Sequence, residues 1–376
     1  MIPYSRQDIS EADIRAVERV LRSTHLTQGK AIVAFEDAVK KYTGATHAVA
    51  LSSGTAALHA AYFAAGLSKG DEVLVPAITF AATANAALYL GAVPVFVDVD
   101  PRTGLIDLDD ARKKITSKTK VVVGVDYAGR PASLRELCAF AKKHALVFIE
   151  DGAQSFGATY NGSSLGTQAD MTMFSFHPVK SITTGEGGVI TTDNAEYAER
   201  IRMFRTHGIT KEVSAFQNDT HGPWYHEMQL LGYHYRMTDI QAALGESQLK
   251  RLPTFIKKRR SIAKRYTTLL KMMPGVILPP EEIVHEESAW HLYALQIEDH
   301  TKRRKIFEAL HKAGIGAQVH YVPVYWHPFY QSLGYKKGLC PNAELFYSRE
   351  ISIPLFPGLT KAEQAHIVQV LNQALV

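Results

Sequence analysis

Phe174-Ser-Phe-His-Pro-Val-Lys-Ser-Ile-Thr-Thr-Gly-Glu-Gly-Gly188 is the stretch from which the rest of the chain is read. From Asp170 to Phe176, apolar residues alternate with small hydroxyl residues, which predicts a buried strand over Met171–Phe176 ending in a loop that presents Lys180. A lysine that loses solvent has its charged form disfavoured, so its neutral amine can attack an aldehyde as a Schiff-base nucleophile. A surface lysine in a glycine-rich turn is the blander reading, and Lys180 alone leaves both open.

Two other segments bear on the choice. Leu146-Val-Phe-Ile-Glu-Asp151 is an apolar strand with acids at its carboxyl end, followed by Gly152 and Ala153, and in α/β sheets ligands gather at that end. A carboxylate there can keep a pyridine nitrogen protonated, and the pyridinium then draws electrons from the carbanion that amino-group transfer forms. An Asp in this position also commonly caps the next turn. Ala48-Val-Ala-Leu-Ser-Ser-Gly-Thr-Ala-Ala-Leu-His59 runs from a strand into a helix through Ser52, Ser53, Gly54 and Thr55. Free N–H groups and the positive end of the dipole make such a start a phosphate site, although Ser and Thr there also serve as plain N-caps.

Strands and helices alternate from about Thr46 to Asp193, with strand candidates at Val73–Val75, Val93–Val97, Val121–Val125, Leu146–Asp151, Met171–Phe176 and Gly188–Thr192. That alternation predicts an α/β fold, a mostly parallel sheet with helices on both faces. A long helix is expected from Asp239 to Lys271, with Ile240, Ala243, Leu244 and Leu249 at helical spacing, leading past Pro274-Gly-Val and Pro279-Pro280 into a smaller domain. The last third predicts strands near Trp290–Ile297 and Ile315–His320 and helices near Lys302–Ala313 and Lys361–Leu375, an α+β cap. The expected division is a large domain over residues 1–250 and a small one over 251–376.

With Leu26-Thr-Gln-Gly-Lys30, Pro76-Ala-Ile-Thr-Phe-Ala-Ala-Thr-Ala-Asn85, Glu150-Asp-Gly-Ala-Gln154 and Phe204-Arg-Thr-His-Gly208, these motifs span nearly the whole chain. In this order they resemble the fold-type I pyridoxal phosphate enzymes and, within them, the DegT/DnrJ/EryC1/StrS sugar aminotransferases. Val125-Asp-Tyr-Ala-Gly129, Ile182-Thr-Thr-Gly-Glu-Gly-Gly188 and Ala317-Gln-Val-His-Tyr321 are similar to members that aminate a UDP-linked 4-keto-6-deoxy-N-acetylhexosamine on the pseudaminic acid pathway.

The resemblance implies roles residue by residue. Lys180 anchors pyridoxal 5′-phosphate, Asp151 pairs with its pyridine nitrogen, Gln154 lies against the ring and its phenolic side, and Phe80 stacks on the opposite face. Gly54, Thr55 and Ser175 form the phosphate cradle. His320 and Tyr321 contact the substrate, with Tyr4, Thr24, His25, Leu26 and Thr27 contributing from the N-terminal segment and Arg236 from the segment after His234. The family usually has Asn in Leu231-Gly-Tyr-His-Tyr-Arg236, where it reaches the neighbouring subunit's cofactor phosphate; this chain has His234. An imidazole can donate one hydrogen bond when neutral and add charge when protonated, so that role can persist with altered pH dependence. A histidine packed structurally among Tyr233 and Tyr235 is the other reading. The implied reaction is a ping-pong transamination from L-glutamate to a keto sugar in a homodimer with shared sites. Another nucleotide-linked keto sugar is an alternative, as are sugar deoxygenation, which Lys180 and the two cysteines oppose, and a non-catalytic sensor, for which no additional domain is visible.

Composition is ordinary for a globular protein. The net charge of +5 is modest, and Lys257-Lys-Arg-Arg260 precedes apolar residues at helical spacing, so it reads as a solvated helix face rather than a nucleic-acid surface. Cys138 and Cys340 are far apart without metal-ligand spacing, which predicts free thiols and no metal centre. No signal core and no apolar run of about 18 residues is present; a cytoplasmic location with no membrane partner is expected. The aromatic run His320-Tyr-Val-Pro-Val-Tyr-Trp-His-Pro-Phe-Tyr330 fits either packing on a base or sugar, or core packing by Trp326 and Phe329.

Overall fold

Valine-rich runs buried on both faces form the centre of the molecule in the computed structural model, which describes residues 1–375. Seven strands make one sheet: β1 (His47–Leu51), β2 (Glu72–Pro76), β3 (Val93–Val97), β4 (Thr119–Val125), β5 (Val147–Asp151), β6 (Met171–Ser175) and β7 (Gly188–Thr192). Their order is β1-β7-β6-β5-β4-β2-β3; β7 is antiparallel to both neighbours, and the remaining pairs are parallel. Parallel strands need long crossovers, and the helices that supply them cover the faces, which is why β2 to β5 read as mostly apolar runs, while β6 and β7 interleave small hydroxyl residues with apolar ones.

The covering helices are α2 (Lys30–Thr43), α3 (Gly54–Ala64), α4 (Ala81–Tyr89), α5 (Leu108–Lys114), α6 (Leu134–His144) and α7 (Ala195–Phe204), while α1 (Glu11–Leu21) packs outside this layer against the helix over residues 239–249. α3 is the most enclosed: Ala56, Ala57, Ala60, Ala61 and Ala64 are buried around nearly its whole circumference. Alanine keeps helix propensity high and lets the axis lie close to β6 and β7. That close approach brings the start of α3 to the Lys180 loop.

The expected single helix from Asp239 to Lys271 is two, α8 (Asp239–Leu249) and α9 (Leu252–Leu270). Pro253 explains the break: in a continuous helix its ring would meet the Leu249 carbonyl, whereas in the first turn of α9 its missing N–H costs nothing. α9 begins in the core of the large sheet, with Leu252, Phe255 and Ile256, and ends in a second core with Ile262, Tyr266 and Leu270. That second core is built on a three-stranded antiparallel sheet, β8 (Val276–Ile277), β9 (Tyr293–Ile297) and β10 (Glu350–Ile353), ordered β8-β9-β10. α10 (Arg303–Lys312) and α13 (Lys361–Leu375) cover it.

Ile315–His320 is not a ladder strand. Among the described residues its strand-like pairing is limited to isolated bridges from Ile315 to Ile2 and from Gln318 to Ser352, and Glu350–Ile353 pairs with β9. The aromatic run after His320 divides: Tyr325 and Tyr330 are buried against Phe96 in the first core, Trp326 packs edge-on to Tyr347, and Phe329 is 60% exposed. α11 (Pro328–Ser332) and α12 (Pro341–Arg349) therefore lie on the large-sheet core before the chain returns to β10. We propose a domain division near residue 250, with α9 as the joint and this return crossing it.

Candidate active site

Lys180 lies in the turn between the antiparallel strands β6 and β7, and the turn is tied down by its own hydroxyls. Thr183 Oγ1 donates to the Phe176 carbonyl (3.1 Å), the Gly185 N–H donates to Thr183 Oγ1 (2.9 Å), and Thr184 Oγ1 donates to the Glu186 carbonyl (2.7 Å). The Ser5 hydroxyl reaches the Val179 carbonyl (3.2 Å), fastening the N-terminal segment to the same loop. Crowding by protein lowers the Lys180 amine to about 8, and the Asp151 carboxylate opposes that shift.

Asp151 ends β5 and is 5% exposed. Thr83 Oγ1 donates to its Oδ2 (2.7 Å) and the Ala153 N–H to its Oδ1 (3.2 Å), while Thr79 and Thr83 share a hydrogen bond of 2.7 Å. Burial pushes the carboxyl above the ordinary aspartate range, opposed first by Thr83, then by Ala153 and Lys180. This acid is oriented by the protein and partly desolvated, the state in which a nearby cation is held most strongly.

Gln154 joins two segments that are distant in sequence. Its Oε1 accepts from the Ala128 N–H (2.7 Å), and its Nε2 donates to the Tyr321 hydroxyl (2.8 Å). Around that contact the Tyr321 ring lies 6.1 Å from Phe80 and 4.8 Å from His320, and Tyr4 is 5.8 Å from His320. Phe80 is 61% exposed, free to stack on a ligand. Tyr4, Phe80, Gln154, His320 and Tyr321 are thus one aromatic, polar-tipped cluster, and Lys180 is close enough to depress His320, after burial, to about 3.

At the start of α3, Ser53 Oγ caps Ala56 N (3.1 Å), leaving the Gly54 and Thr55 N–H groups without a protein acceptor among the described residues. A Cβ at Gly54 would stand 3.0 Å from Ser175 Cβ and 3.1 Å from its Oγ, so the helix start and the Ser175 hydroxyl face one another at close range. Unsatisfied helical N–H groups beside a hydroxyl suit a phosphate dianion. Together with an amine and a buried acid, they fit pyridoxal phosphate. Gly188 keeps this junction tight: a Cβ there would fall 2.6 Å from the Ser53 carbonyl oxygen and 2.8 Å from Gly54 N. Gly188→Ala is expected to push α3 away from β7, destabilising the fold by about 1–3 kcal/mol and weakening cofactor retention at least tenfold. Urea denaturation and cofactor titration check this.

Other expected site residues lie elsewhere on the chain's surface. Thr24, His25, Leu26 and Thr27 are exposed; Thr24 and His25 line an open cavity of about 980 Å³ between α1, α2 and α8. Arg236 lines a neighbouring cavity of about 240 Å³ with Glu36 and Arg205. The segment holding Arg236 is also laced to the end of β1, through the Leu51–Arg236 bridge and a Ser52 N–H to Tyr235 carbonyl bond (2.8 Å). His234 is exposed and 5.5 Å from the His207 ring. It is not packed among the tyrosines: Tyr233 and Tyr235 stack on each other at 5.0 Å, on the side occupied by His59. Strand-like alternation of the backbone explains the separation, because neighbouring side chains point to opposite faces.

Four residues near the site were not singled out from sequence. Thr83 and Tyr127 lie inside motifs already quoted, Pro76–Asn85 and Val125–Gly129. Glu350 and His291 do not. His291 is buried with Nδ1 unpartnered, and burial, Lys180, Arg259, His320 and His177 all push its pKa down. A polar residue inside the apolar run Trp290–Ile297 was the available signal.

The DegT/DnrJ/EryC1/StrS aminotransferase family matches residues 7–372 of the chain. The spore coat polysaccharide biosynthesis protein SpsC of Bacillus subtilis is 38% identical over 378 residues, covering 99% of this chain and 96% of its own. The UDP-4-amino-4,6-dideoxy-N-acetyl-beta-L-altrosamine transaminase of Campylobacter jejuni is 38% identical over 361 residues, covering 94% of this chain and 92% of its own. Among solved structures, Spr1654 from Streptococcus pneumoniae in its PMP form is 33% identical and superposes with a TM-score of 0.94, covering 100% of this chain and 99% of that one. The chain therefore belongs to the DegT/DnrJ/EryC1/StrS family and is a pyridoxal-phosphate-dependent sugar aminotransferase.

Proposed function

We propose that the enzyme moves the amino group of L-glutamate to C4 of UDP-2-acetamido-2,6-dideoxy-β-L-arabino-hex-4-ulose, a step of pseudaminic acid biosynthesis. The observation that carries this reading is the aromatic cluster of Tyr4, Phe80, His320 and Tyr321 around Lys180 and Asp151. It is supported by likeness over nearly the whole chain to a transaminase named for the aminated altrosamine product. Lys180 and Asp151 are the catalytic pair. Gly54, Thr55 and Ser175 take the phosphate, Gln154 and Phe80 the two faces of the ring, and Tyr4, His320 and Tyr321 the sugar. The exposed Thr24, His25, Leu26, Thr27 and His234, with Arg236, serve a pocket shared between two copies in a cytoplasmic homodimer.

When bound, pyridoxal phosphate supplies the electron sink that makes the donor's α-proton removable. The protein contributes the proton traffic and the orientation. An amine at about 8 is neutral in a useful fraction of molecules near neutral pH, so Lys180 Nζ can take the donor α-proton and later deliver a proton to C4 of the sugar. The face of C4 that Nζ approaches sets the configuration of the new amine. Asp151, held by Thr83 and Ala153, keeps its charge aimed at one point throughout.

SpsC is as similar as the altrosamine transaminase, which favours amination of another nucleotide-linked keto sugar as the second reading. The deciding experiment offers the enzyme and glutamate the two C5-epimeric UDP-linked 4-keto sugars in parallel, with products followed by chromatography and mass. Amination of the L-arabino ketone with at least tenfold preference is expected. Preference for the D-xylo ketone, or reaction with neither, overturns the assignment.

A further inference from the structure

His320 is neutral at any physiological pH, so what it offers a ligand depends on which ring nitrogen carries the hydrogen. Its Nδ1 lies 2.8 Å from Ser352 Oγ, and Ser352 Oγ lies 2.5 Å from Glu350 Oε1. The other Glu350 oxygen accepts the His320 backbone N–H at 2.7 Å. No protein group engages His320 Nε2 among the described residues, and the ring faces Tyr4 and Tyr321. Carboxyl, hydroxyl and imidazole therefore form one chain that begins on β10 and ends in the pocket.

We propose that Glu350, acting through the Ser352 hydroxyl, sets the tautomer of His320 and so decides whether the pocket meets a hydrogen-bond donor or an acceptor at Nε2. With a protonated Glu350, the carboxyl donates to Ser352, Ser352 donates to Nδ1, and the ring hydrogen must sit on Nε2. With an ionised Glu350, Ser352 turns its only hydrogen to the carboxylate, Nδ1 becomes the donor to Ser352, and Nε2 is left as an acceptor. No proton is gained or lost by the ring; it is moved from one nitrogen to the other. Glu350 is a positioning residue here, since it touches neither substrate nor cofactor.

Glu350 is fully buried, and burial raises it to about 8, opposed by Ser352, the His320 N–H, Arg303 and Tyr127. Groups facing this chain are Tyr127 from the turn after β4, whose hydroxyl donates to the His320 carbonyl (2.5 Å), Arg303 from the start of α10, Tyr4 and Tyr321 beside the ring, and Lys180 and His291 on the pocket side. The donor form of His320 therefore belongs to neutral pH and the acceptor form to pH above about 8. A donor suits a ketone or hydroxyl oxygen of a sugar.

The inference rests on His320 facing the sugar, and its test separates the two claims. The ring nitrogens of His320 are read by NMR of the ¹⁵N-histidine-labelled holoenzyme, with His320→Gln for assignment, between pH 6.5 and 9.5. The wild type is expected to carry hydrogen on Nε2 at pH 7 and on Nδ1 above pH 8.5. Glu350→Gln, whose amide donates to Ser352 permanently, should keep it on Nε2 throughout, and Ser352→Ala should lose the pH step. The KM for the keto sugar should rise at least threefold in the wild type across that step and stay flat in Glu350→Gln, with the glutamate half-reaction unchanged in their ratio. The same pH step in Glu350→Gln, or in Ser352→Ala should the first variant fail to fold, overturns the inference. Failure of every keto sugar to react would instead overturn the functional reading, while the spectra still decide the tautomer.

Discussion

Replacing Lys180 by alanine is expected to cut glutamate-dependent amination by at least ~10⁴-fold, the upper range for removing a positioned general base, with further loss because the anchoring amine goes too. No neighbouring group can substitute: His320 is held near 3 and His291 lower than its ordinary value, so neither is a useful base toward a carbon acid. Folding should survive. The amine's pKa falls from 10.5 to about 8 on folding, so between those values the folded chain binds fewer protons than the unfolded one. Stability of the cofactor-free wild type should therefore rise with pH over this window and be lowest below it, and Lys180→Ala should lack that rise. Steady-state turnover and urea denaturation at pH 7 and 10 measure the two effects. Turnover within tenfold of wild type would show that another residue holds the role.

Replacing Asp151 by asparagine should lower turnover about 10²–10³-fold, the scale for removing one oriented electrostatic partner, while leaving the fold intact. Asparagine keeps one acceptor, and its amide can donate to Thr83 Oγ1 if Thr83 then donates to Thr79, a bond already present at 2.7 Å. The substitution also reports on Lys180. Asp151 is the group that raises the Lys180 pKa against burial, so without it the lysine should titrate below 8. The pH profile for recombining cofactor-free enzyme with pyridoxal phosphate should rise up to the lysine pKa and then level. In Asp151→Asn that inflection should move to lower pH. An unmoved inflection would mean that the two side chains are not electrostatically linked.

The sheet was legible because most of its strands are buried on both faces: β7 begins and ends at the residues its run marks, β6 stops one residue short, at Ser175, and the edge strand β3 matches its run although Val93 is exposed. The neighbourhood of Lys180 was legible for the same reason, since Asp151 and Gly54 lie at strand and helix ends whose place in an α/β layer is fixed by topology. The break between α8 and α9 was written in Pro253 but masked by helical spacing on either side. Ile315–His320 has strand-like composition and still forms no ladder: Gln318 bridges Ser352 on β10, but the His320 N–H turns to the Glu350 carboxyl instead of a backbone carbonyl. Least legible was the chain Glu350–Ser352–His320 with Tyr127: its members lie up to 225 residues apart, and nothing local distinguishes Glu350 from a solvated acid. Only the packing of β10 against the turn after β4 brings them together. His234 shows the converse, a motif position readable in sequence that the structure leaves exposed beside the His207 ring.

Borohydride reduction of the purified yellow enzyme, followed by trypsin and mass mapping, identifies the residue that holds the cofactor. If Lys180 holds the cofactor, the reduced pyridoxyl phosphate will sit on that residue and block cleavage, giving one peptide from His144 to Arg200 instead of two that meet at Lys180. Unmodified peptides ending at Lys180 and beginning at Ser181, with the label on another lysine or on none, would contradict the assignment of this site.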